Sequence, residues 1–260
     1  MTDENAKPAD DAVNSRRITL SAADWQAIIP YLKQNPRALL FDKKLRTFLA
    51  KRRAKRFEKA DRWQGGQHRM VDFAIRYNEG HMNRFLESHV VRLIRPLSII
   101  DPIYENVATA KLLSVGPRNE NEIFHLCAYG FDIMNIEAID LVSNSPLVRI
   151  MDMHDLQYAD ATFDVVISGW TLPYSRDPKR ALSEKLRVLR PGGLLCVGLT
   201  RVPPDSADHQ NIQNAGAISY LSADQILFDI GEASVEVAFR HEPLDKLRKG
   251  AILLIVRKTA

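Results

Sequence analysis

Cysteine is nearly absent from this chain: Cys127 and Cys196 are the two among 260 residues. Both fall in expected helix and strand interiors, so they read as buried free thiols of a reducing, cytoplasmic setting, not as a disulfide framework. Nothing spaces Cys or His as zinc ligands, and no metal is expected. No run approaches 18 apolar residues, which argues against a membrane-spanning helix. The opening segment MTDENAKPADDAVNSRR is polar and has no apolar h-region, so a disordered tail over 1–17 is expected, not a secretory signal. A GxGxxG fingerprint is missing, which disfavours a dinucleotide dehydrogenase. No internal repeat is evident.

What is present is ordinary globular material, with 45% hydrophobic and 26% charged residues, enough for a packed core. The net charge of +4 is modest but unevenly placed. Residues 43–62, KKLRTFLAKRRAKRFEKADR, carry ten Lys and Arg against Glu58 and Asp61. Such a stretch suits nucleic acid, an anionic lipid surface through peripheral contact, or an acidic substrate. The alternative is a solvated helix face with Leu45, Phe48, Leu49 and Phe57 turned inward at helical spacing.

The chain divides into the tail, an N-terminal helical cap or lid over 18–105, and a core domain over 106–260. In the helical region Ser21 is placed to cap a first helix, with Asp24 three residues on. Pro30 and Pro36 punctuate it, and a basic helix follows over roughly 42–60. Gly65-Gly66 breaks the chain. Met70, Phe73, Ala74 and Tyr77 mark a short amphipathic helix; Phe85, Leu86, His89, Val90 and Leu93 mark another, ended by Pro96.

From 111 onward strand and helix signals alternate. Strands are expected at 111–115, 136–141, 147–151, 163–169 and 194–199, the last entered through a Pro191-Gly192-Gly193 turn. Asn119 caps a helix with Glu122 at its third position, and Gly130 ends it. Asp177-Pro178 starts another helix, and Leu221–Ile230 is helical. Residues 235–240 and 251–257 read as a closing antiparallel pair. Alternation of this kind specifies an α/β fold with a mostly parallel, doubly wound sheet.

Read in order, KLLSVGPRNENE, EAIDL, DMHDLQYADATFDVVISGW and RVLRPGGLLCVG resemble the core of class I S-adenosylmethionine-dependent methyltransferases, in their type 11-like form. The resemblance implies a Rossmann-like seven-stranded sheet, S-adenosyl-L-methionine as cofactor, and methyl transfer to an acceptor oxygen or nitrogen. Segments GPRNENE, DMHDL and GWTLPYS resemble a subgroup associated with bacterial polysaccharide or glycolipid modification. The implied activity is O-methylation of a small molecule, glycan or lipid-linked acceptor. Two alternatives remain: an RNA methyltransferase using the basic segment, and a degenerate, non-catalytic scaffold.

The glycine turn is a variant. Gly116 fits the family's first glycine, Pro117 follows, and Arg118 and Glu120 stand where the next two glycines belong. Ser114 replaces the acid usual on the first strand. Glycine torsions at Arg118 or Glu120 would each cost roughly 1–2 kcal/mol, so either the loop takes another path or binding is weak. Glu120 and Glu122 sit in a first helical turn, either facing a cationic cofactor or simply capping the helix. Asp140, 24 residues after Gly116, is placed to accept the ribose hydroxyls, with Leu141 on the adenine. By resemblance Asp152 takes the adenine amino group, with Met153 adjacent and His154 at the rim. By resemblance Gly169 ends the fourth core strand beside the methyl-transfer position, where Tyr174 and Trp170 are placed to shape the acceptor pocket, with structural packing an equal role for Trp170. Tyr77 and His81, with His68 and Glu79, are lid or acceptor candidates. No general base stands out.

Overall fold

The computed structural model describes residues 20–54, 60–65, 68–82, 91–204, 206–214, 216–231, 234–245 and 247–259. The tail over 1–17, Phe57, and the expected helix turns carrying Phe85, Leu86, His89 and Val90 lie outside these residues. The chain forms two compact units, one ending at Leu39 and one beginning at Leu40.

In the first unit, helix α1 (Ala22–Gln34) opens on a reciprocal capping box: Ser21 Oγ accepts from Asp24 N at 3.2 Å and Asp24 Oδ2 accepts from Ser21 N at 2.8 Å. Pro30 lies inside this helix instead of ending it. The helix buries no residue, so water can take the carbonyl that the proline leaves without its N–H partner.

The second unit opens with helix α2 (Lys43–Ala54), strand β1 (Asp61–Arg62) and helix α3 (Arg69–His81). Next come helix α4 (Val91–Leu97) and helix α5 (Ile103–Asn106). Pro96 sits in the last turn of α4, which ends one residue later at Leu97. Strand β2 (Leu112–Val115), helix α6 (Glu120–Ala128), strand β3 (Ile136–Asp140), strand β4 (Val142–Ser143) and strand β5 (Arg149–Ile150) follow. Strand β6 (Phe163–Gly169), helix α7 (Pro178–Val188) and strand β7 (Leu189–Arg201) continue the alternation. Helix α8 (Ala207–Asn214), not anticipated from sequence, precedes helix α9 (Ala223–Ile230), strand β8 (Val235–His241) and strand β9 (Gly250–Lys258).

Seven strands form one sheet in the order β5-β3-β2-β6-β7-β9-β8. The first five are parallel, while β9 runs antiparallel to both β7 and β8. This is the doubly wound sheet with an antiparallel closing pair that the sequence alternation predicts. The Pro191-Gly192-Gly193 segment does not break the chain before a strand. It is absorbed into β7 as a bulge, where the register with β6 jumps from Phe163↔Leu189 to Val165↔Leu194.

The strands are apolar on both faces because helices cover both. Val115, Val166, Leu195 and Leu254 pack with Leu182 and Val188 of α7 and Ile226 of α9 on one side. Leu112, Val165, Ile167, Cys196 and Ile255 pack with Leu93, Ile94 and Leu97 of α4 and Leu126 of α6 on the other. Cys127 and Cys196 are buried, and neither is in a disulfide. Among the described residues no helix is long and apolar enough to cross a membrane.

The expectation for α2 fails at Leu45 and Phe48, which are exposed at 43% and 57%; Leu49 is half-buried, and Arg46 and Ala50 are the residues the helix buries. Arg46 turns inward because its guanidinium donates to the Leu40 carbonyl at 2.6 Å, a loop acceptor that periodicity cannot reveal.

Candidate functional site

The C-terminal ends of β2, β3, β5 and β6 open on a cavity of about 340 Å³. In parallel α/β sheets this edge is where ligands bind. A two-residue ribbon brings a roof to it: β1 pairs antiparallel with β4, and Trp63 N donates to Leu141 O at 2.8 Å. Helix α3 then crosses the opening and contributes Val71, Phe73, Ala74, Tyr77 and Asn78 to the wall.

The turn after β2 reconciles the missing glycines with a tight path. Gly116 has φ +82°, and a Cβ there would overlap Thr171 Cγ2. Arg118 adopts φ +60°, so it takes a left-handed conformation at the torsional cost foreseen for a side chain. Its N–H donates to Asp140 Oδ2 at 2.9 Å, and its Nε donates to Asn78 Oδ1 at 3.1 Å. Its guanidinium lies over the Tyr77 ring at 5.7 Å. Glu120 instead enters α6 as its first residue, behind the Asn119 cap.

Asp140 ends β3 inside the cavity. Its Oδ1 accepts from Leu141 N at 2.7 Å and from Asn78 Nδ2 at 3.2 Å. Burial pushes this carboxyl up, opposed by the backbone N–H groups of Arg118, Val142 and Leu141. Asp152 follows β5. Burial would raise its carboxyl too, but the His154 ring and N–H together with Arg176 outweigh burial and bring it down to about 2. His154 Nδ1 meets Asp152 Oδ1 at 2.5 Å, His154 Nε2 meets Ser175 Oγ at 2.6 Å, and Arg176 Nη1 lies 2.6 Å from Asp152 Oδ2. Both ring nitrogens of His154 are thus engaged, and the residue is buried, not at the rim.

Of the residues singled out from sequence, Gly116, Arg118, Asp140, Leu141, Asp152, Met153, His154 and Gly169 line this one cavity, as do Tyr77, Trp170 and Tyr174. Pro117 and Glu120 are not part of the lining. Glu120 is buried against Arg53, with which it forms an ion pair, and accepts from Ser145 Oγ at 2.7 Å. Glu122 accepts from Ser114 Oγ at 2.6 Å, so the hydroxyl that replaces the usual strand acid is matched by a helix carboxylate. His81 does not line the cavity; its ring stacks on Tyr77 at 4.3 Å. His68 caps α3 by accepting from Met70 N, and Glu79 pairs with Arg62.

Trp170 lines the cavity and is also pinned: its indole N–H donates to Thr200 Oγ1 at 2.7 Å. Phe73, Tyr77 and Tyr174 stack side by side with centroids 6.0–6.4 Å apart, which makes one wall aromatic. Burial pushes the Tyr174 hydroxyl up, so it stays protonated at neutral pH and can donate but not abstract.

Several residues of the site escaped the sequence reading. Asn78 bridges Arg118 and Asp140; its place four residues after Ala74 on the α3 inner face was the available signal. Arg176 and Ser175 hold the Asp152–His154 pair, and Lys185 lies fully buried beneath it, 3.5 Å from Met153 Sδ. No spacing rule points to these three.

A parallel sheet closed by an antiparallel pair, with carboxylates at the ends of two adjoining strands and a glycine turn at the end of the next, is the architecture of a Rossmann-like methyltransferase. A family model described as a methyltransferase domain matches residues 115–197. Over 128 residues the chain is 33% identical to the malonyl-[acyl-carrier protein] O-methyltransferase of Hahella chejuensis, covering 47% of this chain and 44% of that protein. Over 101 residues it is 32% identical to the 27-O-demethylrifamycin SV methyltransferase of Amycolatopsis mediterranei, covering 36% and 37%. The chain thus spans less than half the length of the curated relatives it matches. The N-methyltransferase NodS of Bradyrhizobium japonicum, solved with S-adenosyl-L-homocysteine, shares the fold: TM-score 0.52, 14% identity, covering 74% of this chain and 99% of that one. Residues 115–197 thus match a methyltransferase domain, and the fold around them is that of the class I S-adenosylmethionine-dependent methyltransferases, whose cofactor is S-adenosyl-L-methionine.

Proposed function

We propose that this protein transfers a methyl group from S-adenosylmethionine to an oxygen of a small-molecule, glycan or lipid-linked acceptor. The observation that carries the reading is the convergence of Asp140, Asp152 and the Gly116 turn on one cavity at the C-terminal edge of the parallel strands. When bound, the cofactor supplies an electrophilic methyl group.

The chain's own residues fit that group. Asp140 is placed to accept ribose hydroxyls, with the Arg118 N–H fixing one of its oxygens. Leu141 and Met153 offer apolar faces to the adenine, and Asp152 accepts from its amino group. His154, Ser175 and Arg176 act as positioning residues that hold the Asp152 carboxylate ionised. Gly116, whose missing Cβ admits Thr171, and Gly169 border the space for the amino-acid part and the reacting centre. Pro117 and Glu120 serve the turn instead: one fixes φ, the other anchors α6 through Arg53. Phe73, Tyr77, Trp170 and Tyr174 form the acceptor wall and exclude water. His81 supports this wall through its stack on Tyr77.

Oxygen as the acceptor atom is supported by the two curated relatives, one named an O-methyltransferase and the other named for 27-O-demethylrifamycin SV. A second reading, a non-catalytic binding module, is favoured by one feature: Arg118 and Asn78 already occupy hydrogen-bonding positions on Asp140. Methyl-labelled S-adenosylmethionine, incubated with the protein and panels of phenols, sugars, carboxylic acids and lipid-linked sugars, separates these. Label on an acceptor oxygen, lost in Asp140→Ala, supports the proposal. Label on nitrogen contradicts it, and cofactor binding with no transfer to any panel favours the binding module.

A further inference from the structure

Helix α2 is inverted relative to a helix that covers a core. It carries six Lys and Arg and no acid over residues 43–54. Its inward side is polar: Arg46 is 2% exposed and bonds the Leu40 and Phe41 carbonyls, and Arg53 pairs with Glu120. Its outward side holds Leu45 and Phe48, with Lys44, Lys51 and Arg52 all exposed. At 3.6 residues per turn these five positions fall within about 120° of the circumference. Phe41, just ahead of the helix, is 62% exposed. Leu45 and Phe48 thus stand next to one another amid a basic surface, the pattern of an amphipathic face and not of a polar one.

We propose that this outward face of α2 docks on an anionic membrane surface. Leu45 and Phe48 enter the boundary between headgroups and acyl chains, and Lys44, Lys51 and Arg52 lie over the phosphates. Charge complementarity selects an acidic partner, and the aliphatic Leu45 beside Phe48 selects a bilayer over RNA. An RNA backbone would be met by the basic side chains alone, with bases stacking on aromatic rings and no call for leucine. With twelve residues and two apolar anchors, α2 binds reversibly. Because α2 packs against α6, the helix that starts at the glycine turn, docking holds the candidate site close to the lipid surface.

The test is co-sedimentation of the full chain with vesicles of equal phosphatidylglycerol and phosphatidylcholine, and with phosphatidylcholine alone, at physiological salt. Both Leu45→Gln/Phe48→Gln and Lys44→Glu/Lys51→Glu change exposed side chains, and thermal melting confirms that each variant is folded. The expected result is binding to the anionic vesicles, at least about tenfold weaker in each double variant and to neutral vesicles, with single-stranded RNA unable to compete. Absence of binding to anionic vesicles overturns the proposal. So does binding that Leu45→Gln/Phe48→Gln leaves intact, or that RNA displaces, which would assign the face to nucleic acid.

Discussion

Gly116→Ala should damage both the turn and the cavity beneath it, in two separable parts. At φ +82° an alanine carries a left-handed penalty of roughly 1–2 kcal/mol. Its Cβ would also overlap Thr171 Cγ2, and forcing a methyl into a filled site costs about 1–3 kcal/mol more. The sum, ~2–5 kcal/mol, corresponds to a fall in Tm of very roughly 5–15 °C for a domain of this size. Thr171→Ser deletes the offending methyl and keeps the hydroxyl that bonds Ser168 Oγ at 2.6 Å. In the Thr171→Ser background, therefore, Gly116→Ala should cost only the torsional part. A double-mutant cycle by denaturant unfolding measures the difference, with an expected coupling of about 1–3 kcal/mol. Strict additivity would refute the reasoning, because it would mean that strand β6's exit does not press on the turn.

Other perturbations probe the groups under the site. Burial pushes the Lys185 ammonium down to about 7, although Asp152 opposes the shift. Between about 7 and 10.4 the unfolded chain then holds the extra proton, so this residue makes stability rise with pH. Lys185→Met should remove that slope and raise the free energy of unfolding most at and below pH 7, by an amount on the order of 2–4 kcal/mol; a destabilised variant at pH 6 would contradict the account. The Asp152 carboxyl is held at about 2, below its unfolded value, so its contribution is complete above about pH 4 and is lost as pH falls through 2. The stability gap between the wild type and Asp152→Asn should therefore shrink across that window in an acid titration followed by circular dichroism. Arg118→Gly relieves the left-handed strain but breaks the bridge to Asn78, so stability should change by less than about 1 kcal/mol while cofactor affinity changes measurably.

Much of this architecture is legible because local signals and burial agree. FDVVISG reads as a strand buried on both faces and is one, and Asn119, Asp177 and Ser21 cap the helices where their side chains predict. Asp140 and Asp152 are legible because strand ends fix them in the same cavity. What stays hidden depends on partners distant in sequence. Arg46 turns inward for loop carbonyls, Glu120 is captured by Arg53 from 67 residues away, and β7 runs straight through a Pro-Gly-Gly that normally ends a strand. Pro30 likewise ends nothing, because on this exposed helix water takes the carbonyl that the proline leaves without a donor, whereas α4 stops one residue past Pro96.

The central claim is that Asp140 and the Gly116–Arg118 turn form a working cofactor site. Calorimetric titration with S-adenosylmethionine and S-adenosylhomocysteine, with folded Asp140→Ala alongside, tests it most directly. The account predicts micromolar binding of both ligands by the wild type and its loss in the variant. Absence of binding at millimolar ligand, or equal binding by the two proteins, would contradict it.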